Sequence, residues 1–264
     1  MDGKVTPIII CGACGRMGRA ILEAAAADPA VDVTGLVDVA PHIGTTITFR
    51  NRVIPVQAGL PRSPKGVVID FTAPAATVAL VHEAAVHGHA MVIGTTGLEA
   101  AHLAEIEHAA RRIAIVRSAN MSTGMNVLLA LVRRAARALG DEADVEILEA
   151  HHGGKKDAPS GSAIQLADAV NEARGRAPGE GWVHGRQGMP GERRRGEVGI
   201  HAIRGGDIVG DHTVLFALGG ERIELVHRAH SREAFARGSL RAAKFAATAG
   251  PGLYPMSRVL GLEA

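Results

Sequence analysis

The sequence predicts an α/β protein with two domains. The first is built on a parallel sheet, and the second is an α+β domain with a mixed or antiparallel sheet. Short apolar runs alternate with helical patterns through the first half of the chain, which is typical of βαβ units. In the second half, consecutive strand patterns are separated by glycine pairs. The 264 residues suffice for two separate cores.

Apolar runs in the first half predict buried strands, and segments between them predict helices. The predicted strands are Pro7–Cys11, Val31–Val37, Val67–Phe71, Ala90–Ile93 and Ile113–Val116, and the predicted helices are Met17–Ala27, Ala75–His87 and Glu99–Arg111. Leucines and valines at three-to-four spacing predict a longer helix over Met125–Leu139, which would link the two domains.

The second half predicts a sheet with one layer of helix. The predicted strands are Val145–Ala150, Ile200–Arg204, Ile208–Ala217 and Glu221–Arg228, and the predicted helices are Ser162–Ala173 and Arg232–Ala247. Gly205-Gly206 and Gly219-Gly220 are hairpin turn signals between the last three strands. The segment Arg174–Glu197 is rich in Gly, Arg and Pro and predicts a long loop.

The composition excludes several classes of protein. A formal net charge of +2 gives no case for binding nucleic acid or a membrane surface. The two cysteines, Cys11 and Cys14, form no disulfide framework and fit a reducing compartment. The N-terminus shows no signal-peptide pattern, and no apolar run approaches the length of a membrane span. We therefore expect a cytoplasmic protein without nucleic-acid or membrane partners.

A glycine-rich segment between the first strand and the first helix predicts a dinucleotide site. Gly12, Gly15 and Gly18 form a GxxGxxG pattern, which allows a tight turn, close approach of a pyrophosphate and close helix–strand packing. The N-terminus of the following helix favours the phosphate charge. Asp38 follows the second strand, where a carboxylate can hold the adenosine ribose hydroxyls. The absence of a following Gly-Lys-Ser/Thr excludes a phosphate-loop NTPase.

Four residues of this region leave alternatives open. Arg16 is either a solvated residue at the helix start or a phosphate contact. Asp38 disfavours the 2′-phosphate of NADP, and the residues after it supply no cation, so NADH and NADPH are both candidates. The C-x-x-C spacing of Cys11 and Cys14 is compatible with a redox pair. Because no second pair of metal ligands accompanies these cysteines, we interpret them as packing residues.

The segment Glu149–Ser162, reading EAHHGGKKDAPSGS, predicts the chemical site. Histidine moves protons near neutral pH, as we expect of His151, and the point charge of Lys155 suits a carboxylate. The Ser160-Gly161-Ser162 turn precedes a helix and offers N–H groups and hydroxyls to an anion. Asp157 is expected to orient the loop or cap the helix.

Metal binding is a poorer interpretation of the same segment. Glu149, His151 and His152 are candidate zinc ligands, but adjacent histidines on a strand point to opposite faces. The HExxH spacing of zinc proteases is also missing. We therefore expect no metal. His212 and His227 lie on predicted strands and are expected to be structural or interfacial.

Taken together, these segments resemble the 4-hydroxy-tetrahydrodipicolinate reductase family, also called dihydrodipicolinate reductase. The resemblance covers nearly the whole chain. It rests on Gly12–Gly18, Asp70-Phe71-Thr72, Gly94-Thr95-Thr96-Gly97, Ser118-Ala119-Asn120-Met121 with Ser122-x-Gly124-x-Asn126, Glu149–Ser162, and Arg204-Gly205-x-Asp207-Ile-Val-Gly-x-His212. The sequence departs from the family at Gly153-Gly154, where relatives often carry bulkier, more basic residues, and at Met121, where an aromatic residue is common.

The resemblance implies a Rossmann-type dinucleotide-binding domain over residues 1–121 and 232–264 and a substrate-binding and oligomerisation domain over residues 122–231. It implies NADH- or NADPH-dependent reduction of a small dicarboxylate ring to tetrahydrodipicolinate, on the diaminopimelate route to lysine. It also implies a homotetramer joined through the sheets of the second domain. The implied cofactor contacts are Gly12, Ala13, Cys14, Gly15, Arg16, Met17, Gly18, Asp38, Phe71, Gly94, Thr95, Thr96, Ser118, Ala119, Asn120 and Met121.

Each step of the implied reaction then has a candidate residue in this chain. We expect His151 to donate a proton and Lys155 to pair with a carboxylate or donate a proton. His152 is expected to contact the substrate together with Ser160, Gly161 and Ser162.

Two other functions fit part of the pattern. A semialdehyde dehydrogenase has a similar two-domain plan but needs a cysteine nucleophile, and both cysteines lie in the glycine-rich segment. A dinucleotide-sensing protein without turnover would explain the first half only. It gives no reason for His151, His152, Lys155 and the Ser-Gly-Ser turn to occur together.

Overall fold

The computed structural model describes residues 5–262 and divides them into two compact units. Unit 1 comprises the residues up to Thr123 together with those from Arg232 onward, and unit 2 comprises Gly124–Ser231. The domain boundaries predicted from the sequence, after residues 121 and 231, lie within two residues of these positions. The predicted outer ends at residues 1 and 264 lie outside the described residues.

The secondary structure follows the chain in alternating order before it becomes strand-rich. The strands are β1 (Thr6–Cys11), β2 (Val31–Val37), β3 (Thr46–Phe49), β4 (Arg52–Gln57), β5 (Val67–Asp70), β6 (Ala90–Ile93), β7 (Ala114–Arg117), β8 (Asp144–His151), β9 (Trp182–His184), β10 (Val198–Arg204), β11 (Gly210–Leu218), β12 (Glu221–Ala229) and β13 (Gly252–Tyr254). The helices are α1 (Arg16–Ala26), α2 (Pro74–His87), α3 (Ala100–Ala110), α4 (Thr123–Leu139), α5 (Gly161–Ala173), α6 (Glu233–Ala246) and α7 (Met256–Leu260). No helix within residues 5–262 is long and apolar enough to cross a bilayer.

The sheet of unit 1 has the strand order β13-β7-β6-β5-β1-β2-β4-β3. Neighbouring strands pair parallel, except β3 and β4, which pair antiparallel. The chain order reverses at β1, because β2 lies on one side of it and β5 on the other. Open α/β sheets bind ligands beyond the carboxyl ends of their strands at such a switch point. The fold therefore directs attention to the residues that follow β1, β2 and β5.

Both faces of the centre of this sheet are buried, which explains why its central strands β1, β5 and β6 contain continuous apolar runs. Ile8 and Ile10 pack in a cluster with α1 and α6, whereas Ile9 and Cys11 pack in a second cluster with α2 and α3. Alternate residues of a strand point to opposite faces, so β1 contributes to both clusters.

The sheet of unit 2 has the order β12-β11-β8-β10-β9 and is mixed. Its central strand β8 pairs parallel with β10 and antiparallel with β11. Apolar residues on one face of the sheet, including Val145 and Ile147 on β8 and Val214 and Phe216 on β11, pack with α4 and α5. This agrees with the prediction of a mixed sheet on one layer of helix.

One prediction about unit 2 was incomplete and one was wrong. The predicted loop Arg174–Glu197 contains β9, which pairs parallel with β10. A strand of three residues is too short to show an alternating pattern in the sequence. Gly205-Gly206 does not form a hairpin between neighbours, because β8 lies between β10 and β11. That glycine pair therefore begins a connection that crosses β8, while Gly219-Gly220 does join the antiparallel neighbours β11 and β12.

Several short elements of unit 1 were missing from the prediction. They are β3, β4, β13 and α7, each of six residues or fewer. β3 forms the outer edge beyond β4, and β13 adds to β7 at the other edge. Edge strands bury less apolar surface, so their sequences carry less periodicity than those of β1 or β5.

Candidate active site

The glycine-rich segment forms a tight turn at the carboxyl end of β1 and leads into α1. Gly12 has a left-handed φ of +69°, a conformation that glycine adopts without steric cost. A Cβ at Gly18 would overlap the carbonyl oxygen of Gly12 and the backbone of Ala13, and a Cβ at Gly15 would lie 3.2 Å from the same oxygen. The Gly15 amide donates to that oxygen at 3.0 Å. The result is a compact backbone cradle at a helix N-terminus, which fits a pyrophosphate.

Asp38, which follows β2, is bonded to this cradle. Its carboxylate accepts hydrogen bonds from the Cys14 amide and the Val39 amide, both at 2.8 Å. Arg16 and Met17 open α1, where Arg16 is exposed and Met17 is half-buried. In a dinucleotide-binding fold, a carboxylate in this position binds the adenosine ribose.

The two cysteines have the properties of packing residues. Burial raises the pKa of the Cys11 thiol well above its usual range, and the nearby Asp70 carboxylate adds to this. Burial and the Asp38 carboxylate raise the pKa of Cys14 as well. The thiolate is the reactive form of cysteine, so these surroundings disfavour redox chemistry. Within residues 5–262, no group of three or more His, Cys, Asp or Glu side chains is arranged to hold a metal ion.

A buried carboxylate joins the loops after β5 and β6. Asp70 is fully buried and accepts hydrogen bonds from the Thr72 amide at 2.9 Å and the Thr72 hydroxyl at 2.6 Å. It also accepts from the Thr77 hydroxyl at 2.5 Å and the Thr95 hydroxyl at 3.1 Å. Asp70 lies in one of the sequence motifs, but the sequence indicated no role for it. Its hydroxyl partners hold both loops against the carboxyl edge of the sheet.

The other predicted cofactor residues lie in these strand-end loops. Phe71 packs on Gly94 so closely that a Cβ at Gly94 would overlap the Phe71 ring. Thr96 and Ala119 are exposed, whereas Thr95 is buried with Asp70. The strand-end loops therefore present a mixture of exposed and buried predicted contacts.

Residues 118–121 form a hydrogen-bonded turn after β7. The Ser118 hydroxyl donates to the Asn120 carbonyl at 2.8 Å, and the Asn120 side-chain oxygen accepts from the Ser122 amide at 2.9 Å. Met121 is buried, and its carbonyl oxygen lies where a Cβ of Gly238 on α6 would be. Close packing of α6 thus fixes the backbone that carries these predicted contacts.

In unit 2, a polar cluster forms where β8, β10, β11 and the start of α5 meet. Its centre is Glu149, whose side chain is fully buried. The Arg204 guanidinium donates to both Glu149 oxygens at 2.7 and 2.8 Å, and the Ser160 amide donates at 3.0 Å. Nδ1 of His151 lies 2.6 Å from Oε2 of Glu149. We call Glu149, His151, Ser160, Arg204 and His212 the Glu149 cluster.

The ionisation of Glu149 follows from these partners. Burial alone would raise the pKa of this carboxyl group, but hydrogen bonds from Arg204, His151 and the Ser160 amide outweigh burial and lower the pKa. Glu149 is therefore an ionised carboxylate at neutral pH, although it has no contact with solvent. The guanidinium in turn has its pKa raised by Glu149.

Strand geometry explains why these residues meet. Glu149 and His151 are two positions apart on β8 and so share a face of the sheet. Arg204 at the end of β10 is the register partner of His151 in the parallel pair, and His212 on β11 is the partner of Glu149 in the antiparallel pair. Side chains of opposite charge on neighbouring strands are close enough to interact.

His212 completes the cluster as a neutral residue. Its Nε2 lies 3.3 Å from the Ser160 hydroxyl, and its ring meets the His151 ring edge to face with 5.3 Å between centroids. Burial lowers the pKa of His212 to about 4, and the nearby His151 and His227 act in the same direction. The sequence prediction of a structural role agrees with its burial, but missed its contact with the candidate catalytic histidine.

Lys155 lies in the loop between β8 and α5 and is paired with Asp157. Its ammonium nitrogen bonds both Asp157 oxygens at 2.8 Å, and the Lys155 side chain is 20% exposed. This ion pair lowers the pKa of Asp157. The Asp157 carbonyl also accepts from Arg204 at 2.6 Å, so Asp157 orients the loop as predicted from the sequence. The Lys155 amide donates to the His152 carbonyl at 3.1 Å.

The Ser-Gly-Ser turn is divided between the interior and the surface. Ser160 is buried and caps α5, because its hydroxyl accepts from the Ala163 amide at 3.2 Å. Its own amide is engaged by Glu149, so the anion at that N–H group is a protein carboxylate. Gly161 is exposed and Ser162 is half-buried. Of the predicted anion contacts in this turn, Gly161 and Ser162 are the ones at the surface.

The main feature that sequence reasoning missed is the ion pair between Glu149 and Arg204. Both residues lie in the sequence motifs, but the sequence suggested only the role of a zinc ligand for Glu149. Its i, i+2 spacing to His151 was an available signal, since alternate strand residues share a face. Arg204 lies 55 positions away, and its pairing depends on β10 lying beside β8.

Both halves of the chain match one family. Residues 6–121 match the family described as "Dihydrodipicolinate reductase, N-terminus", and residues 124–260 match "Dihydrodipicolinate reductase, C-terminus". The chain belongs to the dihydrodipicolinate reductase family. It is therefore an oxidoreductase, and its unit 1 is a Rossmann-type domain that binds a pyridine dinucleotide.

Individual relatives support this membership over almost the full length. The 4-hydroxy-tetrahydrodipicolinate reductase of Rubrobacter xylanophilus is 47% identical over 258 residues, covering 96% of this chain and 97% of the relative. The 4-hydroxy-tetrahydrodipicolinate reductase of Anaeromyxobacter dehalogenans is 44% identical over 267 residues, covering 98% and 99%. The dihydrodipicolinate reductase family assignment, the fold class and the enzyme class predicted from the sequence are thus confirmed.

A solved structure supports the fold separately. The dipicolinate-bound dihydrodipicolinate reductase of a Paenisporosarcina species superposes with a TM-score of 0.76 at 22% identity. The match covers 95% of this chain and 97% of that chain. At this level of identity the likeness concerns the fold alone.

Proposed function

We propose that this chain catalyses the NADH- or NADPH-dependent reduction of 4-hydroxy-tetrahydrodipicolinate to tetrahydrodipicolinate, on the diaminopimelate route of lysine biosynthesis. The observation that carries this proposal is full-length similarity to reductases of that name, together with an imidazole and an ammonium group beside the start of α5. A cytoplasmic location is the matching expectation for a chain with two unpaired cysteines.

Unit 1 supplies the cofactor site in this proposal. The bound nucleotide supplies the hydride, which is chemistry that the side chains of the protein lack. The Gly12–Gly18 cradle binds the pyrophosphate and Asp38 binds the adenosine ribose. Asp38 favours NADH, because a carboxylate repels the 2′-phosphate of NADPH. Arg16, an exposed cation within the Gly12–Gly18 cradle, is the candidate to offset that repulsion.

Unit 2 supplies the substrate groups. The substrate is a small ring with two carboxylates beside a C=N system, so it needs cationic or N–H partners and a proton source. Lys155 pairs with one carboxylate in exchange for Asp157, and the exposed start of α5 at Gly161 and Ser162 receives the other. His152 adds a further contact. Loss of the 4-hydroxyl group and a neighbouring ring hydrogen as water gives the conjugated ring that accepts the hydride. His151 donates the proton that balances the negative charge created when hydride adds to this ring.

The sheet of unit 2 also provides a surface for self-association. α4 and α5 cover one face of this sheet, whereas the opposite face exposes Leu148, Ile203 and Val226. We propose that this face lies in an interface between copies of the chain within a homotetramer. Leu148→Asp should then produce a smaller species in sedimentation velocity, and an unchanged sedimentation coefficient would contradict this arrangement.

The decisive assay follows oxidation of NADH and of NADPH with the ring substrate made in situ from pyruvate and aspartate semialdehyde. We expect oxidation that requires both precursors and the enzyme that condenses them. Nucleotide binding without oxidation would favour the dinucleotide-sensing alternative. Reduction of NAD⁺ or NADP⁺ by aspartate semialdehyde with phosphate, in the absence of pyruvate, would favour the semialdehyde dehydrogenase alternative.

A further inference from the structure

We propose that Glu149 is a positioning residue that holds His151 with Nδ1 as the hydrogen-bond donor and leaves Nε2 as the nitrogen that meets the substrate. A companion role belongs to Gly210, whose missing side chain keeps the space next to Nε2 open. Both roles rest on the proposed function, in which His151 donates a proton.

The direction of the hydrogen bond between Glu149 and His151 follows from charge. Glu149 is ionised and has only acceptor atoms. Nδ1 of His151 lies 2.6 Å from Oε2, so Nδ1 must carry the hydrogen. In a neutral imidazole the other nitrogen is then unprotonated, and in an imidazolium ion it carries the proton that can be transferred. Glu149 therefore selects Nε2 as the reacting atom.

Glu149 is held rigidly enough to orient the ring. Two bonds from Arg204 at 2.7 and 2.8 Å fix the plane of the carboxylate, and the Ser160 amide at 3.0 Å anchors it to the start of α5. The side chain of Glu149 is fully buried and that of His151 is 12% exposed. A bidentate arginine constrains both position and orientation, so the imidazole has little freedom to rotate.

The surroundings of Nε2 explain the glycine at the start of β11. A Cβ at Gly210 would lie 3.1 Å from His151 Nε2 and 3.5 Å from its Cδ2. Gly210 does not have a positive φ, so conformational freedom is not the reason for a glycine at this position. Space is the remaining physical reason, since even a methyl group would press on the nitrogen that must stay accessible.

The charged and titratable neighbours do not compete for Nε2. His212 faces the His151 ring edge to face, and the hydrogen bond of its Nε2 is to Ser160 rather than to His151. Arg204 is engaged by Glu149, and Lys155 by Asp157. His227 lies beyond His212, with 6.5 Å between their ring centroids. Among the described contacts, Glu149 is thus the partner that sets the orientation of His151.

The test compares Glu149→Gln and Gly210→Ala with wild type, using Gly219→Ala as the matched control. Gly219 is at the other end of the same strand, has no positive φ and has open space around its Cβ position. We expect Glu149→Gln to lower kcat by about 10²-fold or more with KM and dinucleotide affinity nearly unchanged, because an amide no longer enforces one tautomer. We expect Gly210→Ala to lower kcat at least about tenfold, and Gly219→Ala to match wild type.

A spectroscopic measurement separates positioning from a merely structural role. In ¹⁵N-histidine-labelled protein, with the signals assigned through His151→Asn, wild type should show neutral His151 as the Nδ1–H tautomer. Glu149→Gln should show a mixture of tautomers or the other one. Wild-type tautomer and wild-type kcat in folded Glu149→Gln would overturn the proposal. If Glu149→Gln does not fold, Gly210→Ala decides, since it keeps the Glu149 cluster intact; full activity in that variant would then overturn the proposal.

The two hypotheses fail in different ways. The tautomer measurement needs no turnover, so a wild-type protein that leaves the ring substrate unreduced contradicts the proposed function and not the orientation of His151. A wild-type protein that reduces the substrate, with an equally active Glu149→Gln, contradicts the positioning role and not the function.

Discussion

The two candidate sites are built from different materials. In unit 1 the site consists mostly of backbone atoms. Its glycines leave room because they have no side chains, and the groups that would bind the dinucleotide are N–H groups at the start of α1. In unit 2 the site is mostly side chain: a buried carboxylate organises an arginine, a histidine and the cap of a helix. A backbone site is encoded within a short stretch, whereas a side-chain site needs several strands to be correctly paired. The predictions below test that difference.

The largest effect should come from removing the proton donor of unit 2. We expect His151→Ala to lower kcat by roughly 10²–10⁴-fold, the usual contribution of a general acid. Lys155→Ala should likewise remove most turnover. Because both side chains belong to unit 2, dinucleotide affinity measured by fluorescence titration should stay nearly unchanged. His108→Ala, an exposed histidine on α3, serves as the control, and comparable losses in that variant would contradict the assignment.

A change in the glycine cradle of unit 1 should weaken binding of the dinucleotide rather than slow proton transfer. In Gly18→Ala the new Cβ would overlap the Gly12 carbonyl oxygen and the Ala13 backbone, so the cradle must shift. Overpacking of this kind costs about 1–3 kcal/mol. We expect the Kd for the dinucleotide to rise roughly tenfold or more, as measured by calorimetric titration. Gly250→Ala has open space around its Cβ and is the control; an unaltered Kd in Gly18→Ala would show that the cradle is not the binding site.

Coenzyme preference should depend on Asp38, whose carboxylate is hydrogen-bonded to the backbone of the cradle. Asp38→Ala should weaken the binding of NADH by roughly 10–100-fold, since hydrogen bonds to a charged group contribute about 1.5–3 kcal/mol. The binding of NADPH should be weakened less, because removing the carboxylate also removes its repulsion of the 2′-phosphate. Direct titration of both coenzymes measures the ratio. Asp38→Asn keeps an acceptor for the Cys14 amide and separates charge from support of the cradle. A larger loss for NADPH than for NADH would reverse the assignment.

The smallest predicted effect concerns the acid stability of unit 2. Burial alone would raise the pKa of Glu146, but hydrogen bonds from Arg186, His201 and Arg193 lower it to about 2. A depressed pKa stabilises the folded state above the ordinary value of 4.5, and this stabilisation is lost as the pH falls toward 2. The shift sets an upper limit of about 3 kcal/mol, and solvent screening of these partly exposed ion pairs reduces the expected contribution to about 1 kcal/mol.

Glu146→Gln measures that contribution directly. The difference in unfolding free energy between wild type and Glu146→Gln should shrink as the pH falls from about 6 to about 3. Urea unfolding followed by the fluorescence of Trp182, the single tryptophan of the chain, monitors unit 2. Glu107→Gln, an exposed residue of α3, should show no such trend. A difference independent of pH would mean that Glu146 contributes no linked proton.

Much of unit 1 was predictable because its information is local. β1, β5 and β6 contain continuous apolar runs, the glycine spacing lies between one strand and one helix, and Asp38 follows the next strand. In unit 2 the sequence indicated His151, Lys155 and the turn before α5, again from one short segment. It could not indicate that Ser160 turns its amide toward Glu149. Nor could it show that Gly205-Gly206 carries the chain across β8 instead of forming a hairpin.

The sequence by itself determined the family, the class of each domain and the segments that carry the chemistry, because strand periodicity, glycine spacing and short motifs are properties of neighbouring residues. Only the tertiary structure decided which side chains form ion pairs and contacts with one another. Glu149 and Arg204 meet because β10 lies parallel beside β8, and Gly210 lies next to His151 because β11 runs antiparallel on the other side. Strand order is set by the packing of the whole sheet, and no local pattern in the chain specifies it.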